Sequence, residues 1–151
     1  SPDHYGPSSG DEYAAVKNQL ESSGLFTVDL QSTEWVQYSK DRVADVYPVY
    51  QLGWFPDYSD PDNYLTPFFS KNNFISNHYD NPEVQKLISE QVSTADVNER
   101  RAKLEQIQDL VSNDISTLPL LQGKQIAVTG TDVSGLQLDA SFKLRIAPLT
   151  K

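Results

Sequence analysis

The chain has 151 residues, of which 38% are hydrophobic and 22% charged, a composition that supports one packed domain and argues against global disorder. Its formal net charge of -9 argues against nucleic acid as a partner, because phosphate binding requires clusters of Lys and Arg. The absence of Cys excludes disulfides, thiolate chemistry and Cys-based zinc sites. No apolar run approaches the roughly 18 residues that a membrane-spanning helix needs.

Two helices are predicted in the first third of the chain. The first begins at Gly10 or Asp11 and ends before Gly24, which is a typical stop signal. The second is expected to be capped by Ser32 or Thr33, since short hydroxyl side chains satisfy the free amides of a first helical turn.

Two segments of the same region have the pattern of strands. Residues 26–30 alternate apolar and polar side chains, and residues 46–52 are rich in β-branched and aromatic residues. With the two helices they give the order helix, strand, helix, strand. This alternation favours an α/β layer with parallel strands.

The second half of the chain is predicted to contain two helices followed by short strands. Asn81 and Pro82 are a good N-cap and first helical residue, and Asp96 with Glu99 forms a capping box at the start of a longer helix. From Thr117 onward, apolar segments separated by Gly and Asp predict strands. The residues expected on the apolar faces of the two helices are Val84, Leu87, Ile88, Val92, Leu104, Ile107, Leu110 and Val111.

Residues 51–69 are too aromatic for an ordinary solvent loop and too rich in Pro for a helix interior. Gly53 follows the predicted strand 46–52, and ligands of α/β proteins collect beyond the carboxyl ends of strands. Trp54 offers a flat aromatic face and Asp57 an anion three residues later, a combination that suits an ammonium group. Local packing explains Trp54 and Asp57 equally well, so spacing alone leaves both interpretations open.

The other notable residues of this stretch are expected to be structural. Asp60 can cap a helix that starts at Pro61, and Asp62 then lies in its first turn. The residues whose i, i+1, i+4, i+5 spacing indicates core packing are Tyr64, Leu65, Phe68 and Phe69.

The sequence contains no motif for a metal, a nucleotide or a cofactor. His4 and His78 lie in polar, loop-like surroundings, and their spacing matches no metal-ligand pattern. Residues 57–62 look superficially like a calcium loop but lack its Gly and its final Glu. We therefore predict no cofactor, no metal site and no enzymatic activity. A hydrolase that uses the paired carboxylates of Asp57 and Asp60 is kept as an alternative.

Three segments carry a resemblance to a known family. The stretch YPVYQLGWFPDYSDPDNYLTPFF resembles a signature of the extracytoplasmic solute-binding proteins of peptide-type ABC transporters, the dipeptide/oligopeptide-binding family. Downstream, NHYDNPEV leads into a helix, and a helix with the pattern R-x-x-x-L and an L-P-L segment follow, as in that family. Upstream, QLE precedes G-x-x-x-V-x-L and EW. The resemblance covers nearly the whole chain, in order.

The resemblance implies a type II periplasmic-binding-protein-like fold, in which two lobes close on the ligand. Residues 1–151 would form a single α/β lobe, the C-terminal one, with helices packed on a mixed sheet. The missing N-terminal lobe of the same receptor then becomes an expected partner. The chain starts with neither Met nor a signal sequence, so we expect a mature product or a piece of a longer protein.

The resemblance also implies a function and a site. Peptide-binding members have a W-x-x-D motif whose Asp pairs with the α-amino group of the peptide, so Asp57 takes that role here, with Trp54 and Gly53 lining the pocket. The expected partners are a peptide ligand and the permease subunits of an ABC transporter. The expected location is the periplasm or, for a lipoprotein, the outer face of the membrane. A receptor for nickel chelates or sugars, which the same family includes, is the alternative.

Overall fold

The computed structural model describes residues 3–151, and helices are its only regular elements. A single 3₁₀ turn, Pro61–Tyr64, interrupts the chain between the second and third helices of this described part. The α-helices there are α1 (Ser9–Ser22), α2 (Trp35–Val43), α3 (Thr66–Phe69), α4 (Pro82–Ser93) and α5 (Val97–Asp114). None of these helices combines the length and the apolar character needed to span a bilayer.

The chain divides into two compact units, Ser1–Gly53 and Trp54–Lys151. In the first unit, Tyr38 is buried on α2 and its hydroxyl donates a hydrogen bond to the carbonyl of Gln51. The Tyr38 ring stacks on Tyr47 with 5.7 Å between centroids. Burial raises the pKa of Tyr38 to about 12, so its hydroxyl keeps its proton and remains a donor.

The predicted caps of α2 were wrong, whereas the predicted helix itself is confirmed. Glu34, not Ser32 or Thr33, precedes Trp35, the first helical residue. The Glu34 carboxylate accepts hydrogen bonds from the amides of the second and third helical residues at 2.8 and 3.2 Å. A longer acidic side chain can thus perform the capping function at the position next to the helix, and its charge suits the helix N-terminus.

The core of the second unit lies between α4 and α5, which are joined by only three residues. Val84 on α4 and Ile107 on α5 are both fully buried. The remaining buried members of this cluster are Leu65, Phe69, Tyr79, Leu87, Ile88, Leu104 and Val111. The predicted apolar faces are therefore confirmed, except that Val92 is 69% exposed and Leu110 only partly buried.

The caps predicted for the two long helices of this unit are confirmed. Asn81 caps α4, with its side-chain oxygen accepting from the second and third amides of the helix. Asp96 does the same for α5. Asp114, the last residue of α5, accepts hydrogen bonds from the Tyr79 hydroxyl at 2.6 Å and from the Asn81 amide at 2.8 Å. The start of α4 is thereby tied to the end of α5.

A polar network fixes the 3₁₀ turn to the two long helices. The guanidinium of Arg100 on α5 donates to both carboxylate oxygens of Asp60, at 2.8 and 2.7 Å. It also donates to the side-chain oxygen of Gln91, a fully buried residue of α4. The Gln91 amide in turn donates to Asp62. Asp60 caps the turn as predicted, because its side chain accepts the amide hydrogen of Asp62.

The ion pair changes the titration of Asp60. The hydrogen bonds from Arg100 lower the pKa of Asp60 below its ordinary value, against the opposing effect of burial. A carboxyl whose pKa is lower in the folded state stabilises the fold above its unfolded pKa. That contribution is lost as the pH falls through the folded-state pKa.

The predicted strands are not found in residues 3–151, where no strand occurs. Residues 26–30, residues 46–52 and the segments after Thr117 lack strand pairing. The mixed sheet expected beneath the helices is therefore not found in the described residues. One isolated antiparallel bridge joins Ser134 to Thr150, with backbone hydrogen bonds of 2.9 and 3.1 Å in the two directions.

The physical reason for this difference lies in the nature of strands. A strand needs a neighbouring backbone for its hydrogen bonds, whereas a helix satisfies its own. The side chains that made these segments look like strands face solvent instead: Val49 is 87% exposed, Ile126 79% and Val128 92%. The sequence pattern thus indicates a local preference for strand conformation, but no segment within residues 3–151 pairs with these segments.

Replacing Ile107 by Ala tests whether the α4–α5 contact holds the second unit together. Because Ile107 is fully buried, the substitution removes apolar contacts and leaves a cavity, and we expect unfolding to become easier by about 2–5 kcal/mol. Urea denaturation followed by circular dichroism measures the change. Val97→Ala, at a position that is 70% exposed on the same helix, is the control and should change stability little. Equal effects of the two substitutions would contradict this description of the core.

Replacing Arg100 by Met tests the polar network. At neutral pH we expect a loss of about 1–2 kcal/mol, because Asp60 and Gln91 lose charge-assisted hydrogen bonds in a half-buried site. The difference from the wild type should shrink below about pH 4, where Asp60 becomes protonated in the unfolded chain. Denaturant titrations at several pH values measure this. Arg101→Met, one residue further at an exposed position, is the matched control. A pH-independent loss would contradict the role of Asp60.

Candidate functional site

Gly53, the first predicted site residue, lies at the end of the first unit against the ring of Tyr5. A Cβ atom added at Gly53 would lie 2.6 Å from Cε1 of Tyr5, closer than nonbonded carbon atoms approach. A side chain at position 53 would force the ring of Tyr5 to move, so the small size of Gly53 permits this close packing. Its role as a pocket-lining residue stays a prediction.

Trp54 is half-buried in the second unit and is held on several sides. Its indole N–H donates to the side-chain oxygen of Asn63 at 3.2 Å. Phe68 and Phe74 meet the indole at steep angles, with ring centroids 5.3 and 5.6 Å away. Such edge-to-face contacts are the favoured geometry of aromatic pairs. The ring thus has a fixed orientation, and its only hydrogen-bond donor is already engaged.

Asp57 is held by its backbone, while its carboxylate is left free. Its amide donates to the side-chain oxygen of Asn63 at 2.8 Å. Its carbonyl accepts from the ammonium group of Lys143 at 2.6 Å. The preceding Pro56 is buried and restricts the backbone further. The exposed carboxylate of Asp57 forms no hydrogen bond or ion pair within residues 3–151.

Asp57 lines an open cavity of about 630 Å³ in the second unit. Both signs of charge are present at its wall, since Asp139 and Arg145 form an ion pair with 3.1 Å between oxygen and nitrogen. The Ser141 hydroxyl also donates to Asp139 at 2.6 Å and lowers the pKa of that carboxyl. The complete lining is Asp57, Tyr58, Ser59, Asp139, Ser141, Lys143 and Arg145. Asp57 is the carboxylate of this wall that is available to a ligand.

The carboxylates near Asp57 are not arranged as a catalytic pair. Asp57 and Asp60 were the two residues of the hydrolase alternative, but Asp60 is occupied by Arg100 and by the amide of Asp62. Asp139, the other carboxylate of the cavity, accepts from Ser141 and Arg145. The arrangement offers an anionic contact to a cationic ligand group.

Neither of the two His residues lines this cavity. The His4 ring stacks in parallel on Trp35 with 3.4 Å between centroids, in the first unit. His78 adopts a left-handed backbone conformation with φ of 56° in a loop of the second unit. Within the described residues, no cluster of three or more His, Asp or Glu side chains is arranged to hold a metal ion.

Three residues that shape the site were not singled out from the sequence. Asn63 contacts both Trp54 and Asp57, yet its type is ordinary for a turn and gives no signal of its own. Lys143 is 86 residues from Asp57 along the chain, a distance at which local patterns carry no information. Tyr5 lies in the turn-rich N-terminal segment. Only the small size of Gly53 hinted that something approaches the backbone there.

Comparison with known proteins identifies the same family as the sequence motifs. The family model described as "Bacterial extracellular solute-binding proteins, family 5 Middle" matches residues 2–76, which include Gly53, Trp54 and Asp57. The match confirms the resemblance that the sequence motifs indicated. It implies a periplasmic-binding-protein-like fold for the protein.

Several individual proteins are similar to the chain. The dipeptide-binding protein DppE of Bacillus subtilis is 26% identical over 122 residues, or 81% of this chain and 22% of DppE. The periplasmic oligopeptide-binding protein OppA of Haemophilus influenzae is 27% identical over 107 residues, 71% of this chain and 20% of OppA. The probable di/tripeptide-binding protein 5 of Pseudomonas aeruginosa is 28% identical over 128 residues, 82% and 24% of the two chains.

The matched region thus spans about a fifth to a quarter of the length of these relatives. The family model, the ordered motifs and the similarity over most of the chain agree with one another. The chain belongs to the bacterial extracellular solute-binding proteins of family 5.

Proposed function

We propose that the chain is part of the substrate-binding component of an ABC transporter, which captures di- or oligopeptides outside the cytoplasmic membrane and delivers them to the permease. The names of the relatives support peptides over nickel chelates or sugars. The observation that carries the proposal is the free carboxylate of Asp57 on a loop whose backbone is held at both polar groups. The proposed location is the periplasm or the outer face of the membrane.

The chemistry of Asp57 suits the free N-terminus of a peptide. A carboxylate and an ammonium group form charge-assisted hydrogen bonds, which are about twice as strong as neutral ones. Trp54 would contribute its apolar body or its aromatic face, since its N–H is engaged by Asn63. The backbone contacts of Asp57 reduce the freedom that binding must otherwise remove, which favours affinity.

Binding without chemistry is the function that this arrangement supports. The carboxylates near Asp57 are occupied by Arg100 or by Ser141 and Arg145, so none is left as an acid or base partner. The relatives are named as binding proteins as well. We therefore favour a receptor over the hydrolase alternative.

Capture would involve a second lobe that the 151 residues do not include. Extended apolar segments after α5 support this part of the proposal: Leu121 is 76% exposed, Ile126 79% and Val128 92%. Exposed apolar residues in such numbers mark a surface that is covered in the assembled protein. We propose that residues 117–128 form strand pairs with the N-terminal lobe, which would complete the mixed sheet expected from the sequence. Closure of the two lobes would then enclose the peptide.

Asp57→Asn in the full-length protein tests the peptide site. The probes are alanine di-, tri-, tetra- and pentapeptides, each with a free and with an acetylated N-terminus, measured by calorimetry. We expect the wild type to prefer free N-termini. Asp57→Asn should weaken their binding about tenfold or more, because a charge-assisted contact is lost. Acetylated peptides should be little affected.

Asp109→Asn is the matched control, because it makes the same change of charge at an exposed position on α5. It should bind like the wild type. Equal affinities of Asp57→Asn and wild type for free N-termini would contradict the proposed role of Asp57. A signal that appears only with Ni²⁺ and disappears with a chelator would point to the nickel alternative, and turnover of a peptide or glycoside would point to an enzyme.

Hydrogen exchange tests the proposed second lobe. In the 151-residue chain, the amides of residues 117–128 should exchange rapidly, since they lack strand pairing. In the full-length protein the same amides should be protected by pairing with the N-terminal lobe. Helix α5 serves as an internal reference that should be protected in both. Equally rapid exchange of 117–128 in both proteins would contradict this part of the proposal.

A further inference from the structure

Asn63 links the two residues of the proposed peptide site. It is buried, with 3% of its surface exposed, in the 3₁₀ turn Pro61–Tyr64. Its single side-chain oxygen accepts two hydrogen bonds, one from the indole N–H of Trp54 at 3.2 Å and one from the amide of Asp57 at 2.8 Å. A carbonyl oxygen has two lone pairs, so one atom satisfies both donors.

The turn that contains Asn63 is held in place by residues of α4 and α5. Asp60 caps the turn through the amide of Asp62, and Arg100 holds Asp60 with two hydrogen bonds. Gln91 on α4 binds both Arg100 and Asp62. The turn therefore cannot shift without breaking charge-assisted contacts to both long helices. Through its hydrogen bonds to Trp54 and Asp57, Asn63 also restricts the loop that carries these two residues.

We propose that Asn63 is a positioning residue of peptide capture, which sets the Trp54 ring and the Asp57 backbone in one fixed relation. The inference rests on the proposed function of Asp57. Asn63 touches no ligand in this scheme and acts only through the other two residues. Without its oxygen, two donors lose their buried acceptor, and the loop no longer has one preferred conformation. The carboxylate would then spend only part of its time where an ammonium group can meet it.

The effect on affinity follows from that population. When only a fraction of the molecules is competent to bind, the apparent dissociation constant rises by the inverse of the fraction. A loop that keeps its bound geometry about one-tenth of the time therefore binds about tenfold more weakly. An Asp at this position retains an oxygen acceptor of the same size and reach, whereas a Leu fills the volume without one.

The experiment compares Asn63→Leu and Asn63→Asp in the full-length protein, with the alanine peptides described above as probes. Asn63→Leu should weaken binding of free N-termini about tenfold, and Asn63→Asp should keep an affinity close to that of the wild type. The indole N–H resonance of Trp54, assigned through its loss in Trp54→Phe, reports the hydrogen bond directly. It should move upfield in Asn63→Leu and stay near its place in Asn63→Asp.

A stability control separates positioning from general destabilisation. Asn81→Ala removes the cap of α4, and it should lower the melting temperature while leaving both peptide affinity and the Trp54 resonance unchanged. A folded Asn63→Leu with wild-type affinity would overturn the proposal for Asn63 and leave that for Asp57 standing. If Asn63→Leu does not fold, Asn63→Asp decides: a folded Asn63→Asp that loses affinity overturns the proposal. A wild type without preference for free N-termini would overturn both.

Discussion

The two hydrogen bonds from Arg100 to the carboxylate of Asp60 are the contact on which the position of the turn after Asp57 depends. Residues 40 positions apart are joined by it, so the turn after Asp57 is tied to helix α5. Arg suits this place because its planar guanidinium can bind a carboxylate with two nitrogens and still reach Gln91. A Lys would supply one point charge and leave Gln91 without a donor.

From this anchor the site is assembled in layers of decreasing burial. Gln91 is fully buried, Asn63 nearly so, Trp54 half-buried, and Asp57 exposed. Gln91 bonds Arg100 and Asp62, and Asn63 accepts hydrogen bonds from both Trp54 and Asp57. The carboxylate of Asp57 has no partner in residues 3–151. The buried contacts thus lie in the interior, and the carboxylate of the proposed peptide site lies at the surface.

The sequence predicted the helices of this unit well because their signals are local. Asn81 and Asp96 mark the starts of α4 and α5, because their side chains cap amides no more than three residues away. The spacing of the apolar residues in the two helices indicates the faces that form their common core. The cap of α2 was missed because Glu34 is an uncommon choice, although it is adjacent to the helix. The strands are not found for a different reason. Segments such as 46–52 and 117–128 carry the side chains typical of strands, but strand pairing depends on a distant backbone that the sequence pattern cannot identify.

For the site, the sequence identified Asp57 and Trp54 but not what holds them. The contacts of Asp57 with Lys143 and of Asp60 with Arg100 join residues that are 86 and 40 positions apart in the sequence. No local sequence pattern indicates that these residues are partners. Family resemblance suggested the role that we propose for Asp57, whereas the structure shows that its backbone, rather than its side chain, forms the contacts with Asn63 and Lys143. That distinction bears on how such a loop can evolve. Since residue 57 is anchored through main-chain atoms, a single codon change there can alter the charge of its side chain without removing these anchoring contacts. If the proposed role of Asp57 holds, such a change would alter ligand preference while the surrounding loop stays in place.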